Sequence, residues 1–321
     1  MEDPLVSICC LAYNHEPYIR QCLDGFLMQR TMFSIEVLIH DDASTDRTSE
    51  IIREYEVKYP DIIKPIYQKE NQYSKGIGVT HVFQFPRAKG KYIAMCEGDD
   101  YWIDPLKLQK QVDFLEDNPD YGLVHTDFYY VDIYNNEIPC PNEPLYTNLK
   151  QRIKNGYIWH YYIGNSGFIL ACATLYRKNL LTDENTYLDH GLFMSLARKS
   201  KVMYLDDKTS CYRINPNGAM RSNQVKVISS IQNAIFQQLL YFSQYGFNNK
   251  SHIFYYFNFY SRFCVSEGLV SALYHIKIIT VPNKYIGLIK SLALRPISLL
   301  LFPFAFVEKI IKKWVHQSFW Q

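Results

Sequence analysis

No charge of either sign dominates this chain. Lys and Arg total 34 against 32 Asp and Glu, a formal net charge of +2 over 321 residues. The basic footprint of a nucleic-acid-binding protein is therefore missing. No uninterrupted apolar run reaches the roughly 18 to 20 residues that a membrane-crossing helix needs. The eight cysteines form no Cys-x-x-Cys pair and no Cys/His set with zinc-finger spacing. Cys9-Cys10 and Cys96 lie inside apolar runs, the expected setting of buried free thiols in a reducing compartment. Met1-Glu2-Asp3-Pro4 does not have the pattern of a secretory signal, so the expected location is cytoplasmic. There is no Gly-x-x-x-x-Gly-Lys-Ser/Thr phosphate loop, and Gly76-Ile77-Gly78 lacks a third Gly at dinucleotide spacing. No Gly-x-Ser-x-Gly elbow and no His-Glu-x-x-His occurs, and His15-Glu16 reads as a loop pair.

What is present is a core-forming composition, 48% hydrophobic, with 27 Tyr, 19 Phe and 4 Trp. That excludes a disordered chain. Aromatics on this scale can fill a core, line a sugar or base site, or sit at a membrane surface.

The first hundred residues alternate strand and helix. Leu5 to Leu11, Ile35 to Ile39, Ile62 to Tyr67 and Tyr92 to Cys96 are short apolar runs that suit strands buried on both faces. Between them, Tyr18, Ile19, Cys22, Leu23, Phe26 and Leu27 recur at helical spacing, and Ser44 or Thr45 is placed to cap a helix carrying Ile51, Ile52 and Tyr55. This predicts a mainly parallel α/β sheet with right-handed crossovers, in which ligands bind at the carboxyl ends of the strands. The polar residues at those ends are Tyr13, Asn14, Asp41, Asp42, Glu97, Asp99 and Asp100. Asp104-Pro105 starts a further helix with Leu108, Val112 and Leu115 on its core face. Residues 139–156 read as a surface loop. The character changes near 220, so the expected domains are 1–220, with halves 1–104 and 105–220, and a helical region 221–321.

Adjacent carboxylates at the end of a buried strand repel one another unless solvated or neutralised by a cation. Asp99-Asp100, with Glu97 nearby, suits a hard divalent ion such as Mg²⁺ or Mn²⁺ that also holds phosphates. A solvated, helix-capping turn explains either Asp pair taken alone.

Val6-Ser7-Ile8-Cys9-Cys10-Leu11-Ala12-Tyr13-Asn14, His40-Asp41-Asp42-Ala43-Ser44-Thr45-Asp46-Arg47-Thr48 and Ala88-Lys89-Gly90-Lys91-Tyr92-Ile93 followed by Glu97-Gly98-Asp99-Asp100-Tyr101-Trp102 resemble, in order and spacing, the family 2 inverting glycosyltransferases of GT-A fold. The likeness spans residues 4 to 220. It implies a nucleotide-sugar donor, with Tyr13 stacking on the base, Asn14 beside it, and Asp42 accepting from the ring imide N–H of a uracil or thymine. It places Glu97 at the ribose or the metal's water shell and Asp99 and Asp100 at Mn²⁺ or Mg²⁺. Lys75 is a candidate cation near the diphosphate. Tyr187-Leu188-Asp189-His190 resembles the segment bearing the catalytic base, which makes Asp189 that base. Cys211-Tyr212-Arg213-Ile214-Asn215 resembles a Tyr-Arg-x-His segment. Arg213 then belongs to the donor site, and Asn215 stands where the family has a metal-binding His. Gly164-Asn165-Ser166-Gly167-Phe168 falls near the acceptor site.

The implied activity is metal-dependent sugar transfer to a hydroxyl of a glycan or lipid-linked glycan. A sugar nucleotidyltransferase and a non-catalytic sugar-nucleotide or membrane-binding module stay open as alternatives. Beyond residue 286, apolar segments broken by Lys290, Arg295, Pro296 and Pro303 lead to Lys309, Lys312, Lys313, Trp314 and Trp320. That mix fits a helix in a membrane interface on the inner face of a cytoplasmic membrane. It fits equally a helical subdomain packed on the catalytic domain or in a homo-oligomer.

Overall fold

The structure is a computed structural model that describes residues 3–140, 169–181, 189–216 and 218. The chain divides into units Met1–Gly218 and Ala219–Gln321, and all described residues belong to the first. The region 221–321, the surface loop from 141 onward and Gly164 to Phe168 lie outside them.

Four strands form where short apolar runs predict them: β1 (Val6–Ala12), β2 (Ile35–Asp41), β3 (Ile63–Tyr67) and β4 (Tyr92–Met95). They pair in parallel in the order β3-β2-β1-β4. Parallel neighbours require crossovers, supplied here by α1 (Ile19–Leu27) and α2 (Thr48–Lys58). Ile19, Cys22, Leu23 and Phe26 of α1 and Ile51 and Ile52 of α2 pack on the buried strands. The capping expectation for α2 is corrected. Neither Ser44 nor Thr45 caps it; the helix starts at Thr48, whose N–H donates to Oδ1 of Asp46 at 2.9 Å. Ser44 is engaged elsewhere, its hydroxyl donating to Asp41.

The second half changes the sheet from parallel to mixed. β5 (Tyr101–Trp102), β6 (Tyr121–Val131), β7 (Glu137–Ile138), β8 (Thr174–Arg177) and β9 (Lys201–Arg213) extend it as β4-β8-β6-β9-β5. β8 runs antiparallel to both β4 and β6, while β6 and β9 are parallel. α3 (Lys107–Asp117) buries Leu108, Val112 and Leu115, the face its periodicity predicts. α4 (Asp189–Lys199) buries Leu192, Phe193, Leu196 and Ala197. Among the described residues no helix is long and apolar enough to cross a membrane.

Candidate active site

Parallel register brings three chain segments to one sheet edge. Ala12 pairs with Asp41 across β1 and β2, and Cys9 with Met95 across β1 and β4. The turns that follow are joined by main-chain bonds. Asp42 donates its N–H to the carbonyl of Ala12 at 2.9 Å, and Gly98 donates to that of Leu11 at 2.8 Å.

The first two turns are stitched to each other by side chains. Asn14 adopts a positive φ of 55°, a conformation Asn tolerates. Its Oδ1 accepts the N–H of Thr45 at 2.8 Å, and its own N–H donates to Ser44 Oγ at 3.0 Å. One residue on, His15 donates its N–H to Thr48 Oγ1 at 2.8 Å, and Glu16 donates to Asp46 Oδ2 at 3.0 Å. Ser44, Asp46 and Thr48 are thus cross-ties that hold the turns together. Tyr13, between them, is left 44% exposed, which gives its ring a free face.

Asp42 is buried and organises a neighbouring loop. Its Oδ1 accepts the N–H of Gln72 at 2.7 Å and its Oδ2 that of Tyr73 at 3.0 Å. Each carboxylate oxygen retains a lone pair for a further donor. Buried His40 lies behind it, Nε2 3.6 Å from Oδ1 of Asp42. Burial holds the His40 pKa below its usual value, with Asp42 opposing that shift. In the same loop Lys75 ends a single 3₁₀ turn, Tyr73–Lys75, and its ammonium pairs with Glu70.

The third turn carries the acids. Glu97 is half-buried, and its pKa is pushed well up by burial first and then by the carboxylates of Asp189, Asp99 and Asp100. Asp189, the first residue of α4, therefore shares an electrostatic space with the β4 end, although far from it in sequence. Asp189 is exposed as a residue, yet desolvation of its carboxyl pushes its pKa up to about 6. Asp99 Oδ2 accepts the Nδ2–H of Asn215 at 3.1 Å and lies 3.7 Å from His15 Nε2. Asp100 is turned inward, its Oδ1 accepting the main-chain N–H of Arg213 at 2.8 Å. Burial, then Asp99, pushes the Asp100 pKa well up.

Arg213 is itself buried and committed to protein. Nε donates to the Asp99 carbonyl at 2.7 Å, Nη1 to that of Asp132 at 3.0 Å, and Nη2 to Gln21 Oε1 at 3.0 Å and Asn135 Oδ1 at 2.9 Å. Its guanidinium lies 4.6 Å from the Tyr18 ring centroid and 5.3 Å from that of Tyr101. Sequence reading missed Gln21, Asp132 and Asn135 entirely, because no local pattern connects them to Arg213. It read His15 only as part of a loop pair, although the adjacent Tyr13-Asn14 was a signal that it lies at the site.

A hard cation fits the donor set at Asp99. Among the described residues Asp99 Oδ1 accepts no protein hydrogen bond, while Oδ2 is engaged by Asn215. Among the same residues no group of three His, Cys, Asp or Glu side chains is arranged as a metal cage. An ion of the Mg²⁺ kind takes one or two carboxylates and completes its shell with phosphate and water.

With this geometry in place, the comparisons with known proteins decide the family. The family model described as glycosyl transferase family 2 matches residues 7–183, more than half of the chain. The chain belongs to glycosyl transferase family 2. Among curated proteins, an uncharacterised Mycobacterium tuberculosis protein is 51% identical over 117 residues, 36% of this chain and 32% of that one. The Bacillus subtilis protein EpsJ, named as an uncharacterised glycosyltransferase, is 30% identical over 226 residues, 67% of this chain and 62% of its own length. The chain thus spans about a third of the mycobacterial relative and under two thirds of EpsJ. Among solved structures, S. aureus TarS in complex with UDP superposes with a TM-score of 0.55 at 17% identity, over 81% of this chain and 72% of that one. The mannosyltransferase PcManGT from Pyrobaculum calidifontis, in complex with GDP-Man and Mn²⁺, gives 0.57 at 16% identity, over 95% and 85%. At such identities the likeness establishes the fold, which is the GT-A arrangement of a mixed sheet flanked by helices.

Proposed function

We propose that this glycosyltransferase moves a sugar from a UDP- or dTDP-sugar to a hydroxyl of a glycan or lipid-linked glycan, with inversion at the anomeric carbon. The observation that carries the reading is the common electrostatic space of Asp189, Glu97 and Asp99. A base and a cation-binding carboxylate close enough to feel the same Glu97 are what a direct displacement needs.

Tyr13 offers its exposed face to the base. Asp42 accepts the ring imide N–H on a lone pair that the loop amides leave free. Asp99 would hold Mn²⁺ or Mg²⁺, with Asn215 beside it, and the ion would supply Lewis-acid stabilisation of the leaving diphosphate; Asp100, buried and bonded to the Arg213 main chain, supports the turn rather than the ion. Asp189 takes the proton of the acceptor hydroxyl. The hydroxyl oxygen bonds the anomeric carbon from the opposite face as the sugar–phosphate bond breaks, and its electron pair passes to the β-phosphate oxygen. Glu97, kept from ionising freely by its neighbours, stands at the ribose. Arg213 braces the carboxylate turn and Lys75 stays with the loop. TarS was solved with UDP and with UDP-GlcNAc, which favours a uridine donor. TuaG of B. subtilis, 37% identical over 112 residues, carries a name assigning it to teichuronic acid biosynthesis, which favours an envelope polysaccharide acceptor.

The test is a screen of sugar nucleotides read by released nucleoside diphosphate. Hydrolysis of one UDP- or dTDP-sugar above the rest names the donor, and silence across all pyrimidine donors refutes the assignment. Peripheral attachment through residues 286–320 is tested separately by sedimentation of the full-length chain with anionic liposomes. A chain that stays wholly in the supernatant has no such attachment.

A further inference from the structure

We propose that His15 is the residue that serves the leaving diphosphate directly, through its Nε2–H. This rests on the donor reading above and adds a contact that reading does not contain. The two cations that the sequence assigned to the donor site are unsuited to the task. Lys75 is paired with Glu70 on an exposed loop, and Arg213 has four N–H bonds committed to protein acceptors. His15 is placed differently. Its main-chain N–H is held by Thr48 Oγ1 at 2.8 Å, and its carbonyl accepts from Tyr18 at 2.9 Å and Ile19 at 2.8 Å, opening α1. Both sides of its peptide are pinned, so the ring projects from a fixed point.

Gly98 sets where that ring lies. A Cβ at position 98 would meet His15 Nδ1 at 2.8 Å and the Leu11 carbonyl at 3.1 Å. The imidazole packs across the glycine and brings Nε2 to 3.7 Å from Asp99 Oδ2. That separation exceeds a hydrogen bond, so Nε2 is close to the cation-binding carboxylate without being spent on it. Nδ1 is buried and has no hydrogen-bond partner. An unpaired buried acceptor costs less than an unpaired buried N–H donor, which places the neutral ring's proton on Nε2. A cation held by Asp99 would bring the donor diphosphate to the side of the turn on which Nε2 lies. The imidazole donates to the oxygen that receives the electron pair and transfers no proton.

The experiment measures binding of UDP and of uridine to the full-length chain, with Mn²⁺ and again in EDTA, for wild type, His15→Ala and His15→Gln. UDP affinity falls about tenfold or more in His15→Ala, the scale of a hydrogen bond to a charged group. Uridine affinity stays as in wild type, the UDP loss persists in EDTA, and His15→Gln, which keeps an N–H donor, recovers part of it. An equal loss for uridine makes His15 merely structural and overturns the proposal, as does unchanged UDP affinity. A loss confined to Mn²⁺ makes His15 a metal ligand and overturns it too. Wild type that binds neither UDP nor uridine removes the donor reading itself.

Discussion

Arg213 grips both aspartates of the carboxylate turn through their two different faces. Its main-chain N–H donates to Asp100 Oδ1 at 2.8 Å, and its Nε–H donates to the Asp99 carbonyl at 2.7 Å, across more than a hundred residues of sequence. The same side chain reaches Gln21 and Asn135. One residue therefore ties the end of β9 to the β4 turn and to α1.

Arg213→Lys should lower stability by about 2 to 4 kcal/mol, because a lysine ammonium cannot reproduce a planar fork and leaves buried acceptors unpaired. Thermal unfolding checks this. Donor affinity in the folded fraction should fall as well, since the carboxylate turn loses its brace.

Asp189→Asn should retain UDP affinity and reduce transfer by about 10² to 10⁴, the usual contribution of a general base. Wild-type activity should also show an acid limb. The Asp189 pKa is pushed up to about 6, so the base is protonated below that pH, and the rate should fall as pH drops through it. A pH–rate profile in Mn²⁺ buffer, with a limb near 6 that is missing from the residual activity of Asp189→Asn, is the expected result.

Asp42→Asn leaves one carboxamide oxygen where two carboxylate oxygens receive the amides of Gln72 and Tyr73. Hydrogen exchange at those two amides should quicken. UDP affinity should drop about tenfold as the base loses its charged acceptor.

Asp99→Ala should abolish the Mn²⁺-dependent part of the melting-temperature rise produced by UDP and leave the metal-independent part. Linkage makes that rise a measure of bound-state affinity.

Lys107, fully buried on α3, carries a pKa lowered to about 8 by burial. Its Nζ donates to Gln111 Oε1 at 2.8 Å and lies 4.3 Å from the Trp102 ring centroid. The unfolded chain holds this proton up to a pKa of about 10.4. Between about pH 8 and 10.4 the unfolded state binds more protons, so stability should rise with pH there. Below about 8 the whole penalty is present. Lys107→Met should flatten the slope of melting temperature against pH over that window.

Much of this protein is legible along the chain because its first half is built from local rules. A strand buried on both faces must be a short apolar run, and a crossover helix must repeat its apolar residues every three or four positions. β1 to β4, α1 and α3 follow, and so does the collection of Tyr13, Asp42, Asp99 and Asp100 at one edge, since parallel strands end together. The antiparallel entry of β8 between β4 and β6 is not legible, because strand direction in a sheet depends on partners distant in sequence. The fates of individual polar side chains at the edge are equally long-range. The family resemblance assigned Asn215 and Arg213 to that edge and Lys75 was a candidate cation there, whereas His15 read only as part of a loop pair. Only folding decided that Arg213 spends its fork on Gln21, Asp132 and Asn135, that Asn215 donates to Asp99, that Lys75 turns to Glu70, and that His15 lies across Gly98. Each of those outcomes is settled by which acceptor comes within about 3 Å, a distance set by packing between segments that the sequence keeps far apart.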